Sequence, residues 1–215
     1  MRQHAAARPF TLVELIVVMG VMILLAAIAI PAYSSLFSGR KTTLAANQVN
    51  GAVIEGRTHA VSSKIYTALI FVKDTTFNGY TSVRLAEVYH NTDTDNTSFL
   101  WRRWVPGASF TVLPDNTMVP ATNNDLGTTT GSEGKVGSDA LPKVTNLNNS
   151  GLTNISSAPA IIFKPNGQLA GTSDKNVVVR FVETNRYEAN SGQTPKLPLN
   201  INWLTCKTKF LDPVQ

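Results

Sequence analysis

Cysteine is almost absent from this sequence of 215 residues, which has only one, Cys206. A single cysteine excludes an intramolecular disulfide and a cysteine-based metal site. Charged residues are also few, at 15% of the chain, with a formal net charge of +5. No dense basic block accompanies that charge, so it indicates ordinary solubility more than a dedicated anionic partner.

Enzyme signatures are missing as well. The chain contains no Gly-x-Ser-x-Gly, His-Glu-x-x-His or Cys-x-x-Cys pattern, and its three histidines are isolated. The stretch NTDTDNT at 91–97 offers oxygen ligands, but a calcium loop starting there needs Gly at Asn96 and an acid at Arg102. We therefore predict a solvated hairpin tip at 91–97, a buried structural thiol at Cys206, and a non-enzymatic protein without metal or cofactor.

The longest apolar run lies near the N-terminus, within RPFTLVELIVVMGVMILLAAIAIPAY. Residues 15–32 would span roughly 27 Å as a helix, which is close to the hydrocarbon thickness of a bilayer. A carboxylate at bilayer depth, here Glu14, costs on the order of 2–3 kcal/mol, so such residues usually have a partner. One interpretation of this apolar run is a plain signal anchor. A cleaved signal peptide is another, with Arg2 and Arg8 as its positive region and 27–29 as its cleavage site.

Residues 10–15, FTLVEL, resemble the N-terminal motif of type IV prepilins. The resemblance implies that a prepilin peptidase cleaves between Pro9 and Phe10 and methylates the new amino terminus. It also implies that Glu14 pairs with such a terminus in the filament, where low dielectric strengthens an ion pair. Pro31 falls where pilins commonly carry a helix-disturbing proline, which implies a kink. Pro9 departs from the family pattern, because Gly commonly precedes the cut.

Residues 34–62 continue with helical periodicity. A stripe of small apolar residues recurs there: Ala45, Val49, Ala52, Val53, Gly56 and Ala60. Small residues let a helix lie close to a sheet, so we predict one long helix, bent near Pro31, whose second half packs on a head. The predicted organisation has four parts: a leader at 1–9, a transmembrane and assembly helix at 10–33, an amphipathic helix at 34–62, and a β-rich head at 63–215.

In the head, the period changes to two and turn residues separate short runs. The predicted strands are 65–72, 82–89, 99–105, 109–113, 160–164, 177–182 and 199–205. The tract at 121–158 is dominated by Thr, Asn, Gly, Ser and Asp, and we predict a mobile polar excursion there. The fold class predicted is α+β, with a long N-terminal helix packed on an antiparallel β-sheet head.

Two further stretches, at 55–72 and 160–183, narrow the resemblance to one type of pilin-like protein. EGRTHAVSSKIYTALIFV is similar to the helix end and first strand of GspH/FimT-type minor pseudopilins, and AIIFKPNGQLAGTSDKNVVVRFVE to their C-terminal strand pair. This resemblance implies a subunit of a type II secretion or type IV pilus-like filament, anchored in the inner membrane with its head outside the cytoplasm. The implied partners are a prepilin peptidase, other pilin or pseudopilin subunits, an inner-membrane assembly platform and the lipid bilayer.

The sequence WRRW at 101–104 combines aromatic and cationic groups that could bind a nucleic acid. On a regular strand, Trp101 and Arg103 would face one side while Arg102 and Trp104 face the other. That alternation divides the cations between two faces. We therefore favour packed tryptophans with exposed arginines.

A DNA-binding minor pilin for DNA uptake is the alternative function on the same scaffold. Some FimT-like proteins bind DNA through basic residues near the C-terminus, where this chain offers Lys196, Lys207 and Lys209 but no arginine cluster. The candidate nucleic-acid contacts are Arg102, Arg103, Lys207 and Lys209. A secreted β-rich protein with an ordinary signal peptide is the third alternative.

Overall fold

The structure, a computed structural model, describes residues 11–73, 79–90, 98–121, 126–129, 136–152, 155–172, 174–184 and 196–211. The chain divides into two compact units, Met1–Arg40 and Lys41–Gln215. Helix α1, Leu12–Ser63, contributes to both and ends one residue beyond the predicted end at 62.

Short strands follow the helix in the second unit. They are β1 (Thr67–Lys73), β2 (Gly79–His90), β3 (Ser98–Trp104), β4 (Thr111–Val112), β5 (Thr117–Pro120), β6 (Leu126–Thr129), β7 (Val136–Ala140), β8 (Lys143–Thr145), β9 (Ser157–Phe163), β10 (Leu169–Ala170), β11 (Val177–Glu183), β12 (Leu197–Ile201) and β13 (Thr208–Phe210). A single turn of 3-10 helix, Leu147–Asn149, lies between β8 and β9. A helix followed by a sheet-rich head confirms the predicted α+β class.

The first unit carries Leu12–Ala29, an 18-residue stretch of α1 that is long and apolar enough to cross a membrane. No residue of this stretch is buried by other parts of the protein. The backbone is helical through Pro31 and on into the second unit. The kink implied at Pro31 stays a prediction.

Five strands of the second unit close into a ring. Strand β1 pairs with both β2 and β9, β2 pairs with β3, and β8 joins β3 to β9. The β3–β8 pair is parallel, and the other four pairs are antiparallel. Because side chains alternate along a strand, each strand contributes residues to the inside of the ring and residues to its outside.

The inside of the ring is filled by one apolar cluster drawn from all five strands. Its members include Ala68, Ile70, Ala86, Val88, Phe99, Val144, Ala158, Ala160 and Ile162. The four alanines suit the narrow interior of a ring this small. The intervening residues Leu69 and Phe71 belong instead to the cluster under the helix.

The second half of α1 packs on the outside of β1, β2 and β9. Ala45, Val49, Ala52, Val53 and Ala60 are buried there, which confirms the predicted small-residue stripe. Gly56 marks the closest approach: a Cβ atom at this position would lie 2.8 Å from Leu85 Cδ2 and from Phe163 Cε2. Burial of each large side chain such as Leu85 contributes about 1.5–3 kcal/mol.

A second group of strands extends the sheet from β2. Strand β5 joins β2 to β11, which pairs with β12, and β13 is the last strand. The C-terminal strand predicted at 199–205 is corrected, because a turn interrupts it after Ile201. Asn202 Oδ1 accepts hydrogen bonds from the backbone N–H groups of Leu204 and Thr205, at 3.1 and 2.9 Å, as asparagine does in turns.

The tract predicted as a mobile polar excursion, 121–158, contains regular structure where it is described. The described part of this tract forms β6, β7, β8 and the 3-10 turn. Strand β8 closes the ring, and its Val144 is fully buried. The polar composition concealed these strands, because segments of three to five residues need only one or two apolar side chains when their neighbours supply the core.

Candidate functional site

Thr11 and Glu14 form a reciprocal pair at the start of α1. The Glu14 Oε2 atom accepts hydrogen bonds from the Thr11 backbone N–H and hydroxyl, each at 2.9 Å. The Glu14 backbone N–H donates in turn to Thr11 Oγ1 at 3.3 Å. This arrangement is a capping box, which satisfies backbone donors that a helix leaves unpaired at its N-terminus. Glu14 therefore has a local structural role in addition to any role toward a partner.

Sequence reasoning missed this role, although the signal was present. Thr11-x-x-Glu14 directly before an apolar run matches the capping-box pattern. Of the other residues predicted to act at this end, Pro9 and Phe10 lie outside the described residues, so the cleavage site and the ion pair with the new terminus stay predictions. Pro31 lies within α1.

Glu87 is the centre of a charged cluster in the second unit. Glu87 is only 1% exposed, and four polar atoms of neighbouring side chains surround its carboxylate. Arg103 makes two hydrogen bonds, from Nε to Oε2 at 2.7 Å and from Nη2 to Oε1 at 3.0 Å. Arg102 Nη1 and His59 Nε2 each lie 3.5 Å from the carboxylate. The Arg103 hydrogen bonds are the main cause that lowers the pKa of Glu87, and burial opposes them.

A β-bulge brings both arginines to Glu87. In the β2–β3 pair, Glu87 lies opposite Arg103 and Val88 lies opposite Trp101, so Arg102 is an extra residue on β3. A bulge of this kind breaks the alternation of side chains. The alternation predicted for 101–104 is therefore wrong: both arginines contact Glu87.

The two tryptophans share a face as a result. The rings of Trp101 and Trp104 meet edge to face with centroids 5.9 Å apart, and both pack against the cluster inside the ring. Trp104 Nε1 donates to the carbonyl of Ser150 at 2.7 Å. The Arg84 guanidinium lies over the rings of Trp104 and Phe110, 4.3 and 4.6 Å from their centroids. Predicted packing of the tryptophans is confirmed.

The four candidate nucleic-acid contacts are not on neighbouring strands. Arg102 and Arg103 lie on β3, whereas Lys209 lies on β13 and Lys207 just before it. Strands β2, β5, β11 and β12 separate β3 from β13 in the sheet order. The structure thus brings the two arginines together and leaves the two lysines as a separate pair.

Cys206 is buried, as predicted, with 5% of its surface exposed. Its thiol donates to the carbonyl of Gly167 at a distance of 3.2 Å. Burial raises the pKa of Cys206 to about 11, and the nearby charge of Arg57 partly opposes the rise. Such a thiol is a poor nucleophile at neutral pH.

Metal-binding residues do not cluster in the part of the chain that the structure describes. No group of three or more His, Cys, Asp or Glu side chains able to hold a metal ion occurs there. The hairpin tip considered for calcium, 91–97, lies outside the described residues.

No protein-family model matches the chain, and no curated protein matches its sequence. Two solved structures of the minor pseudopilin EpsH, from the type II secretion system of Vibrio cholerae, are similar in fold. One covers 80% of this chain and 97% of its own, at 10% identity and a TM-score of 0.39. The other covers 82% and 96%, at 11% identity and a TM-score of 0.45. Both likenesses are distant.

Proposed function

We propose that this chain is a non-enzymatic, pilin-like subunit that is anchored in a membrane and assembled into a type II secretion or type IV pilus-like filament. The observation that carries the proposal is the stretch Leu12–Ala29, which is apolar throughout except for Glu14 and has no residue buried by the rest of the protein. Apolar surface left in water costs about 25 cal/mol per Å². Lipid or the apolar helices of other subunits would remove that cost.

The same helix serves two states in this proposal. In the first, the subunit is held in the inner membrane with its head outside the cytoplasm. In the second, an assembly platform draws the helix from the bilayer into a bundle with other pilin or pseudopilin subunits. Exposed small residues such as Gly20, where a Cβ would meet nothing within 4 Å, leave room for neighbouring helices.

Glu14 sets the register of the bundle. A prepilin peptidase cuts between Pro9 and Phe10, and the new amino terminus of one subunit pairs with the Glu14 carboxylate of another. A carboxylate without a partner in an apolar bundle is penalised, so subunits are favoured in the position that pairs it. The capping box with Thr11 holds the carboxylate at the very start of the helix.

The mature N-terminus tests the proposal directly. The full chain is expressed in cells that carry a prepilin peptidase, purified from membranes in detergent, and analysed by mass spectrometry. A methylated Phe10 at the N-terminus supports the proposal. A mature start at Ile30 or Tyr33 contradicts it and favours a secreted protein with an ordinary signal peptide.

Nucleic-acid binding is the second candidate function, and one observation favours it. The bulge on β3 places the guanidinium groups of Arg102 and Arg103 on one face instead of two. Both groups contact Glu87, which neutralises part of their charge. A gel-shift of the full chain in detergent across a salt series tests this: binding that weakens steeply with salt supports a nucleic-acid receptor, and no binding at low salt excludes it.

A further inference from the structure

A groove of about 350 Å³ lies in the second unit, between one flank of α1 and the segment that leads into β13. Ile54, Arg57 and Thr58 form the helical wall, and Thr205, Lys207 and Thr208 are on the opposite wall. A volume of this size holds a few side chains, at the lower end of the range for ligand pockets.

Hydrogen bonds hold both walls in place. Thr208 Oγ1 donates to Asn50 Oδ1 at 2.7 Å, which ties the β13 segment to the helix. Arg57 Nε and the Cys206 thiol both donate to the carbonyl of Gly167, each at 3.2 Å. A groove that is already formed costs little ordering when a partner binds.

One wall offers apolar surface to an incoming group. Ile54 is 58% exposed, although it lies on the same helix as the buried stripe. Its neighbours in the groove are the aliphatic stems of long side chains and the methyl groups of threonines. An apolar side chain placed against Ile54 would remove this surface from water.

The charge of the groove has one sign. Arg57 and Lys207 are both exposed, and no residue that lines the groove is acidic. The Arg57 guanidinium lies beside Cys206 in this lining, because both side chains donate to the carbonyl of Gly167. A carboxylate placed in the groove would therefore be attracted by two cations, and no acidic residue of the lining would repel it.

We propose that this groove docks a segment of a partner protein in which an apolar side chain lies beside a carboxylate. The apolar side chain packs on Ile54, and the carboxylate lies between Arg57 and Lys207. A nucleic acid fits less well, because two cations neutralise few phosphates and an apolar wall contributes nothing to a phosphate backbone. The proposal does not depend on filament assembly, since both walls belong to the second unit.

The test uses the full chain in detergent micelles with a fluorescein-labelled peptide of alternating leucine and aspartate. Its counterpart of alternating leucine and asparagine has the same shape without the charge. Fluorescence anisotropy is expected to show binding of the aspartate peptide that is about tenfold tighter than that of the asparagine peptide. Equal affinity of the two peptides, or no binding of either, overturns the proposal.

Matched variants then locate the binding. Lys207→Glu and Ile54→Ser should each weaken the aspartate peptide about tenfold, whereas Lys209→Glu and Leu44→Ser should not. Lys209 is an exposed lysine two residues after Lys207, and Leu44 is 52% exposed on the same helix as Ile54. Neither residue lines the groove. Lys207→Gln serves if Lys207→Glu does not fold. Equal loss in a control variant overturns the proposal, as does tighter binding of single-stranded DNA with the same dependence on Lys207.

Discussion

Arg103 and Glu87 form a two-point ion pair on neighbouring strands, with Nε–Oε2 and Nη2–Oε1 distances of 2.7 and 3.0 Å. The carboxylate faces α1, where His59 Nε2 lies 3.5 Å away. The pair therefore fixes β3 to β2 at the point where β2 meets the helix. Removal of one member would leave a charge without its partner, and at Glu87 that charge is buried.

The stability of the second unit should depend on pH through Glu87. Its pKa is lower in the folded state than in the unfolded chain, so its contribution is fully present above the unfolded value, about 4.3. The contribution is lost as the pH falls through the lower folded pKa. We expect Glu87→Gln to be less stable than the parent at about pH 7, and the difference to shrink below about pH 4. Urea unfolding of both proteins across this range measures it.

Tryptophan fluorescence suits the measurement, because the three tryptophans, at 101, 104 and 203, all lie in the second unit. Arg103→Ala and Arg102→Ala are the matched pair. Arg103 hydrogen bonds to the carboxylate, whereas Arg102 only approaches it to 3.5 Å. Arg103→Ala should reduce the acid dependence more than Arg102→Ala. An acid dependence that is the same in the parent and in Glu87→Gln would contradict the role given to Glu87.

Gly51 and Gly56, both in the second half of the helix, should respond in opposite directions to alanine. A Cβ at Gly51 meets nothing within 4 Å, so Gly51→Ala should stabilise the second unit by about 0.5–1 kcal/mol, the helix propensity difference. At Gly56 a Cβ would lie 2.8 Å from buried side chains of Leu85 and Phe163. Gly56→Ala should destabilise it by about 1–3 kcal/mol through overpacking. If the urea midpoints of both variants rose relative to the parent, the close approach at Gly56 would be contradicted.

The helix and its buried face could be predicted because their signals are local. An apolar run, a stripe of small residues at helical spacing and a change of period after Ser63 each depend on neighbouring residues only. The strands with continuous apolar runs, such as β1, β9 and β11, were predictable for the same reason. The spacing of apolar residues along the sequence was therefore enough to predict most of the helix and several strands of the α+β fold.

The parts that escaped prediction depend on distant partners. Strand β8 is three residues long and is a strand because β3 and β9 lie on either side of it. The bulge at Arg102 likewise depends on how β2 pairs with β3, and no feature of WRRW itself reveals it. The Glu87 cluster joins residues from α1, β2 and β3, so only the folded chain brings them together. Long-range pairing, not local propensity, decides such sites.

Cys206 should react with thiol reagents only when the second unit opens. It is buried and hydrogen bonded, and its pKa of about 11 leaves little thiolate at neutral pH. We expect the folded full chain to react slowly with Ellman's reagent and the urea-unfolded chain to react at once. A Cys206→Ser, Lys207→Cys double variant is the control, because position 207 is exposed and should react rapidly in the folded state. Rapid reaction of the folded parent would contradict the burial of Cys206.

Substitutions at Thr11 and Glu14 should separate the capping role of Glu14 from its charge. Glu14→Gln keeps a capping box, because glutamine also accepts a hydrogen bond from the N-cap backbone, but it removes the carboxylate. Thr11→Ala removes the hydroxyl that bonds to Glu14 and keeps the carboxylate. If the charge sets register in a filament, Glu14→Gln and Glu14→Ala should both abolish incorporation while Thr11→Ala largely retains it.

All three variants should still insert in the membrane, since Leu12–Ala29 is otherwise unchanged. Filament and membrane fractions probed for the subunit give both readouts. Normal incorporation of Glu14→Gln together with loss in Thr11→Ala would show that helix capping, not the ion pair, is the function of Glu14.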